Sequence, residues 1–216
     1  MSTNRTRVYI DGFNLYYGAF REGPFGGYRW LNLVGFCQDI LSKGLHIDMV
    51  RYFTARVKPS GADPGAPARQ AAYIQALRTL PEITIHMGTF STRPKMRPVA
   101  DPAAHCQPAV EVLITEEKGS DVNLATYLLL DAFDDAFDTA VVVSDDSDLL
   151  EPITLVKERF KKRLAVIRIR TDRGSVFRNV VDVVYDANRL RYYSQNQFPP
   201  SLRSSAGRVI NKPASW

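Results

Sequence analysis

Val, Ile and other apolar residues that favour β-strands occur in short unbroken runs, and this pattern limits the folds that the chain can adopt. The runs lie within the predicted strands 7–10, 139–143 and 163–169, as VYI, AVVV and LAVI, and they are rich in Val and Ile. Such a run predicts a strand buried on both faces, as in parallel sheets. Segments with helical spacing lie near 31–43, 68–79, 121–133 and before 160. This alternation predicts an α/β fold, a three-layer sandwich with a central, mostly parallel sheet.

The rest of the chain suggests one domain with two irregular parts. Further strands are predicted at 47–57, 82–88 and 180–185, so residues 1–190 are expected to form a single domain. Residues 89–117 break the rhythm, because Pro94, Pro98, Pro102 and Pro108 flank Arg93, Lys95 and Arg97. We interpret them as a basic excursion, such as a ragged hairpin. Residues 191–216 are expected to be a loosely ordered C-terminal tail.

The composition excludes several classes of protein. Hydrophobic residues make up 45% and charged residues 24%, so the chain is not intrinsically disordered. There is no apolar run long enough for a membrane span, and no apolar signal segment near the start. Only two cysteines occur, Cys37 and Cys106, which favours a reducing compartment. We therefore expect a cytoplasmic protein without a membrane partner.

The charges are unevenly distributed along the chain. Residues 1–150 carry 14 Lys and Arg against 18 Asp and Glu, whereas residues 151–216 carry 14 against 5. A basic surface near an acidic site suits a metal-dependent nuclease, because cations hold phosphates while carboxylates hold the metal. A solvated basic face explains the same numbers.

Acidic residues follow the predicted strands where a parallel sheet binds its ligands. Asp11 follows the first strand, Asp121 opens a helix, and Ser144-Asp145-Asp146-Ser147-Asp148 follows the central strand. Ligands of open α/β sheets bind beyond the carboxyl ends of the strands. Two unit charges about 5 Å apart repel by roughly 3 kcal/mol at an effective dielectric near 20. A cluster of carboxylates therefore predicts a divalent cation, with Mg²⁺ or Mn²⁺ as the oxygen-preferring choices.

Each acidic segment also has a purely structural explanation. Asp11 before Gly12 is a common turn. Asp121 favours the helix dipole whether or not it binds a metal, and one or two acids of 144–148 could cap the next helix. The functional interpretation therefore depends on the three segments occurring together.

Three blocks of residues resemble the signatures of NYN domains, which belong to the PIN-like nuclease superfamily. The blocks are 8–15 (VYIDGFNL), 118–125 (KGSDVNLA) and 141–149 (VVVSDDSDL). The resemblance implies a PIN-like sandwich and metal-dependent cleavage of RNA. It implies that Asp11, Asp121, Asp146 and Asp148 are catalytic and hold one or two Mg²⁺ or Mn²⁺ ions. Asp145 stands where the family often has Gly or Asn, and adds a carboxylate that could also hold the metal.

The expected substrate is RNA, and the expected reaction is hydrolysis of phosphodiester bonds by an endoribonuclease. We expect the substrate to contact a set of polar and basic residues: Asn14, Ser144, Lys118, Arg168 and Arg170. Two alternatives stay open, namely a non-catalytic PIN-like module that binds RNA or protein, and a small-molecule phosphatase with an aspartate nucleophile. A homo-oligomer is also left open.

Overall fold

A computed structural model describes residues 4–41, 44–59, 61, 63–100, 108–170 and 175–216. Residues 101–107, which include Pro102 and Cys106 of the sequence analysis, lie outside this set. In the described ranges, seven strands form the main sheet and two more form a small hairpin. The strands are β1 (Arg5–Asp11), β2 (His46–Ala55), β3 (Ile83–Pro98), β4 (Ala109–Lys118), β5 (Thr139–Val143), β6 (Arg163–Arg168), β7 (Val183–Asp186), β8 (Ser201–Arg203) and β9 (Val209–Asn211).

Among the described residues, six α-helices, one π-helical segment and two 3-10 turns join the strands. The α-helices are α1 (Gly12–Leu15), α2 (Leu33–Ile40), α3 (Ala66–Leu77), α4 (Ser120–Phe133), α5 (Leu150–Phe160) and α6 (Leu190–Ser194). A π-helical segment, Tyr16–Arg21, continues α1, and 3-10 turns occupy Gly26–Tyr28 and Ser147–Leu149. No helix among the described residues combines the length and the apolar character that a membrane crossing requires.

The main sheet has the strand order β4-β3-β2-β1-β5-β6-β7. All neighbouring strands pair in parallel except β3 and β4, which are antiparallel. The expected α/β fold with a central, mostly parallel sheet is therefore confirmed. The chain starts in the middle of the sheet and builds outward in both directions, so the strand order reverses between β1 and β5.

The side chains of β1 alternate between two apolar cores, one on each face of the sheet. Val8 and Ile10 pack in one core with helices α2 and α3, whereas Tyr9 packs in the other core with α4 and α5. All three are fully buried. Burial on both faces explains why the run of apolar residues is unbroken.

The C-terminal residues differ from the expectation of a loosely ordered tail. They form α6 and the β8–β9 hairpin, and Tyr193, Phe198 and Ile210 are buried. The Trp30 indole donates a hydrogen bond to the carbonyl of Pro199 (2.9 Å), and its ring lies 5.9 Å from that of Phe198. This segment is mostly Ser, Asn, Arg and other polar residues, so its few apolar residues formed no recognisable pattern in the sequence.

Candidate active site

A cleft of about 670 Å³ opens at the carboxyl ends of β1 and β5, where the strand order reverses. This is where open α/β sheets bind ligands. The polar residues that line it come from four segments of the chain. They include Asp11, Asn14, Glu117, Asp121, Asp145, Asp146, Arg168 and Arg170.

Three of the predicted acids converge in the cleft. Asp11, Asp121 and Asp146 each present a carboxylate oxygen, and these oxygens all lie within 4.8 Å of one another. Asp11 is buried at the end of β1, while the other two are more open to solvent. We refer to these three residues as the acid triad.

A network of hydrogen bonds fixes the first acid of the triad. One oxygen of Asp11 accepts the backbone N–H groups of Phe13 (3.1 Å) and Asn14 (2.9 Å), which caps α1. Its other oxygen accepts the Ser144 hydroxyl (3.0 Å), and the same hydroxyl accepts the backbone N–H of Asp146 (3.1 Å). Ser144 therefore joins two members of the acid triad.

The backbone next to Asp11 requires a glycine. A Cβ atom on Gly12 would lie 2.6 Å from the carbonyl oxygen of Phe53 and 2.8 Å from the ring of Tyr52. Any larger residue would push the end of β1 away from β2, and Asp11 would move with it.

The electrostatics of the acid triad favour a bound cation. Burial raises the pKa of Asp11 to about 6, and the negative charges of Asp121 and Asp146 act in the same direction against the hydrogen bonds that lower it. Burial and the charge of Asp146 also raise the pKa of Asp121. A divalent cation would remove this mutual repulsion, and oxygen donors match the preference of Mg²⁺ and Mn²⁺. The residues present therefore fit such an ion.

Sequence analysis missed Glu117, a further acid of the cleft. Its carboxylate accepts both the backbone N–H (3.1 Å) and the hydroxyl (2.6 Å) of Ser120, the first residue of α4. Gly119, at the N-cap, is in the left-handed conformation and provides no side-chain cap. Glu117 therefore caps the helix that carries Asp121. A Cβ on Gly88 would lie only 2.2 Å from this carboxylate, so the glycine makes room for it.

Asp145 and Asp148 lie outside the acid triad. Asp145 turns towards β6, where one of its oxygens accepts the backbone N–H groups of Ile169 (2.8 Å) and Arg170 (2.7 Å). Asp148 is exposed, and its backbone N–H donates to Asp146 (3.0 Å). Geometry thus brings together three of the four acids expected to hold metal.

Two residues expected to touch substrate are buried. Ser144 is fully buried, and its hydroxyl contacts the acids. The guanidinium of Arg168 is almost wholly buried between Asp145 and Asp186, although Arg168 also lines the cleft. Contact of either residue with substrate stays a prediction.

The other three residues expected to contact substrate, Asn14, Arg170 and Lys118, differ in where they lie relative to the cleft. Asn14 lines the cleft while its side-chain oxygen accepts the backbone N–H of Asp145 (3.1 Å). Arg170 also lines the cleft and forms an ion pair with Glu22. Lys118 forms an ion pair with Glu116 (3.0 Å) at the end of β4.

Aromatic side chains form part of the cleft wall. Tyr17, Phe13, Phe90 and Phe177 line it, and the rings of Phe13 and Phe90 meet edge to face, 5.7 Å apart. Phe177 is fully buried, whereas the other three rings are partly exposed and could stack on bases. Phe90 and Phe177 carried no sequence signal, because they lie outside the three blocks.

The fold and the acid triad are those of a nuclease-like α/β domain. The sequence profile of the NYN domain matches residues 5–191, and the chain therefore belongs to the NYN domain family. A Vibrio parahaemolyticus RIMD 2210633 protein of unknown function, VPA0982, has a similar structure with a TM-score of 0.50. Its sequence identity is 13%, and the match covers 85% of this chain and 93% of that one.

A curated relative carries the name of a different activity. The protein named 6-hydroxy-3-succinoylpyridine 3-monooxygenase HspA, from Pseudomonas putida (strain DSM 28022 / S16), is 32% identical over 187 residues. The match covers 76% of this chain but 59% of that protein, so the chain spans little more than half the length of this relative.

Proposed function

We propose that this protein is a metal-dependent endoribonuclease that hydrolyses phosphodiester bonds in RNA. The observation that carries the proposal is the acid triad, whose carboxylate oxygens converge within 4.8 Å at the sheet edge. Membership of the NYN domain family, within a nuclease-like superfamily, supports it. RNA is the proposed partner.

Each part of the cleft has a role in this proposal. Asp11, Asp121 and Asp146 would hold Mg²⁺ or Mn²⁺, and a bound ion of this kind lowers the pKa of water and stabilises charge on a leaving oxygen. Ser144 and Asn14 keep the acids in register through hydrogen bonds. Arg170 lines the cleft and would provide positive charge for a phosphate there.

Cleavage of labelled RNA tests the proposal. Single-stranded and hairpin RNA are incubated with Mn²⁺, with EDTA, and with the variants Asp11→Asn and Asp146→Asn. We expect Mn²⁺-dependent internal cuts that either variant slows at least a hundredfold. Asp134→Asn is the matched control, because it removes one exposed carboxylate beyond the far end of α4. Activity that persists in EDTA and in both triad variants would rule out the proposed mechanism.

The name of the Pseudomonas relative supplies a second candidate, a monooxygenase that acts on 6-hydroxy-3-succinoylpyridine. The test is incubation of the protein with 6-hydroxy-3-succinoylpyridine, O₂ and NADH, followed by mass spectrometry of the products. Incorporation of oxygen from ¹⁸O₂ into a product, together with no cleavage in the RNA assay, would favour a monooxygenase. A third outcome, RNA binding without either reaction, would favour the non-catalytic module.

A further inference from the structure

Strand β3 continues far beyond the parallel part of the sheet. Its residues Ile83–Gly88 pair with β2, whereas Thr89–Pro98 pair only with β4, through ten successive residue pairs. We call this two-stranded extension, residues 89–98 and 109–118, the arm. Side chains 91–98 are all exposed, so in the described residues nothing covers this strand of the arm.

The base of the arm is part of the cleft. Residues opposite each other in antiparallel strands share a face, and successive residues alternate between faces. Phe90 is paired with Glu117 and Thr92 with Thr115, whose hydroxyls lie 3.0 Å apart. Phe90, Thr115 and Glu117 line the cleft, so this face of the arm continues the cleft wall.

The other face of the arm is basic. Arg93, Lys95 and Arg97 alternate along β3, and their partners across the ladder are the uncharged residues Ile114, Val112 and Val110. Arg93 lies 3.7 Å from Glu116, which is also paired with Lys118. Within the described part of the chain, no carboxylate lies within 4 Å of the Lys95 or Arg97 side chain. These cations therefore have charge to offer a ligand.

The spacing of the cations places them well beyond the acid triad. A strand rises by about 3.3 Å per residue, so Arg93 and Arg97 lie roughly 10 Å and 23 Å further along the arm than Phe90. A single phosphate bound in the cleft would not reach them. A longer polyanion could reach them if it extended out of the cleft and passed around the arm.

We propose that the basic face of the arm binds the phosphate backbone of RNA outside the cleft, so that long RNA is bound in preference to short RNA. This inference rests on RNA being the substrate, and it concerns binding rather than cleavage. Contacts from Lys and Arg to phosphates are sequence-independent and weaken with salt, by a slope of about 0.7 per contact for single strands.

The test is fluorescence anisotropy with 30-nucleotide and 8-nucleotide single-stranded RNA in EDTA, where no metal-dependent cleavage occurs. The variant combines Arg93→Gln, Lys95→Gln and Arg97→Gln. We expect it to bind the long RNA about tenfold more weakly, to lower the salt slope by about 2, and to leave binding of the short RNA within twofold. A variant with Arg93→Lys and Arg97→Lys should bind as the natural protein does.

The matched control removes three positive charges from another part of the surface, with Arg203→Gln, Arg208→Gln and Lys212→Gln at the β8–β9 hairpin. An equal loss in both triple variants, or no loss in the arm variant, would overturn the inference. So would a natural protein that binds neither RNA. If the protein cleaves RNA in Mn²⁺ and the arm variant binds RNA as the natural protein does, the inference is wrong and the proposed function stands. If the arm binds RNA and no cleavage occurs, the inference stands and the proposed endoribonuclease activity is wrong.

Discussion

At the scale of single residues, the buried position of Asp11 disfavours the ionised form of its carboxyl group. Its pKa is about 6 in the folded protein, against an ordinary value of 3.8. Ionisation is therefore harder in the folded state, and the free energy of unfolding should fall as the pH rises from about 4 to about 6. A shift of this size corresponds to at most about 3 kcal/mol.

The first prediction is that Asp11→Asn stabilises the metal-free protein at neutral pH. Asn keeps an oxygen for the Phe13 and Asn14 amides but carries no charge. In EDTA at pH 7.5 we expect a gain of about 1–3 kcal/mol in urea denaturation, and at pH 4 little difference. Mn²⁺ should stabilise the natural protein more than the variant. A variant that is less stable at both pH values would contradict this account.

The second prediction concerns Glu117, which caps the helix that carries Asp121 and whose charge also raises the pKa of Asp121. Glu117→Ala should weaken Mn²⁺ binding by about 10–100-fold, as is typical when the support of a metal ligand is lost. Glu117→Gln keeps an acceptor for Ser120 and should retain most of the affinity. Isothermal titration with Mn²⁺ measures both.

Glu116→Ala is the control for this experiment, because it removes the same charge from the opposite face of β4. Equal losses in the Gln and Ala variants at position 117 would mean that Glu117 binds the metal itself. Affinity that is unchanged in Glu117→Ala would mean that the cap is irrelevant to the site.

At the scale of elements, α4 is anchored to the sheet by one buried carboxylate. Asp131 accepts two hydrogen bonds from Arg51 (2.7 and 2.8 Å) and one from the Tyr9 hydroxyl (2.7 Å), and it pairs with Arg7 (3.0 Å). Burial alone would raise the pKa of Asp131, but the bonds from Arg51 and Tyr9 lower it overall. Its contribution to stability is therefore present above pH 4 and is lost in more acidic solution, as the pH falls through the lowered pKa.

The third prediction is that Asp131→Asn destabilises the protein by about 3 kcal/mol at pH 7, because the part-buried Arg51 loses its ion pair and Arg7 keeps only the longer one to Asp48 (3.8 Å). Since α4 carries Asp121 at its other end, Mn²⁺ affinity should fall as well. Urea denaturation measures the first effect, with Asp134→Asn as the control. A loss below about 1 kcal/mol would show that the ion pairs do not hold the helix.

Sequence analysis predicts best the strands that are buried on both faces and the helices that have one regular apolar face. The unbroken runs at β1, β5 and β6 and the helical spacing of α4 and α5 required no knowledge of partners. The arm was expected only as a ragged hairpin, because prolines are unusual in strands. They are tolerated here because Pro94 and Pro98 lie in a ribbon paired on one side only.

At the scale of the whole molecule, the C-terminal segment completes the core around Trp30. The fourth prediction is that Phe198→Ala costs about 3–4 kcal/mol of unfolding free energy, as expected for a buried aromatic residue. Val209, an exposed residue of the β8–β9 hairpin, provides the control. We expect Val209→Ala to change the free energy of unfolding by less than about 1 kcal/mol. Equal effects would show that the segment does not belong to the core.

The candidate site could be predicted in part because topology places it. Strand ends alone bring Asp11 and Asp146 to neighbouring positions, and this needs only the order of strands. The direction of each side chain depends on local contacts that no spacing encodes. Asp145 turns away because it accepts backbone N–H groups just beyond the end of β6, and Glu117 lies outside the three motif blocks.

The packing of Phe198 and Ile210 against a core begun by Trp30 has a consequence for the timing of biosynthesis. A chain emerges from the ribosome N-terminus first, so all three members of the acid triad are released before residues 198–210. Until those residues follow, Trp30 lacks the ring of Phe198 and the carbonyl acceptor of Pro199, so part of the core is exposed on the nascent chain.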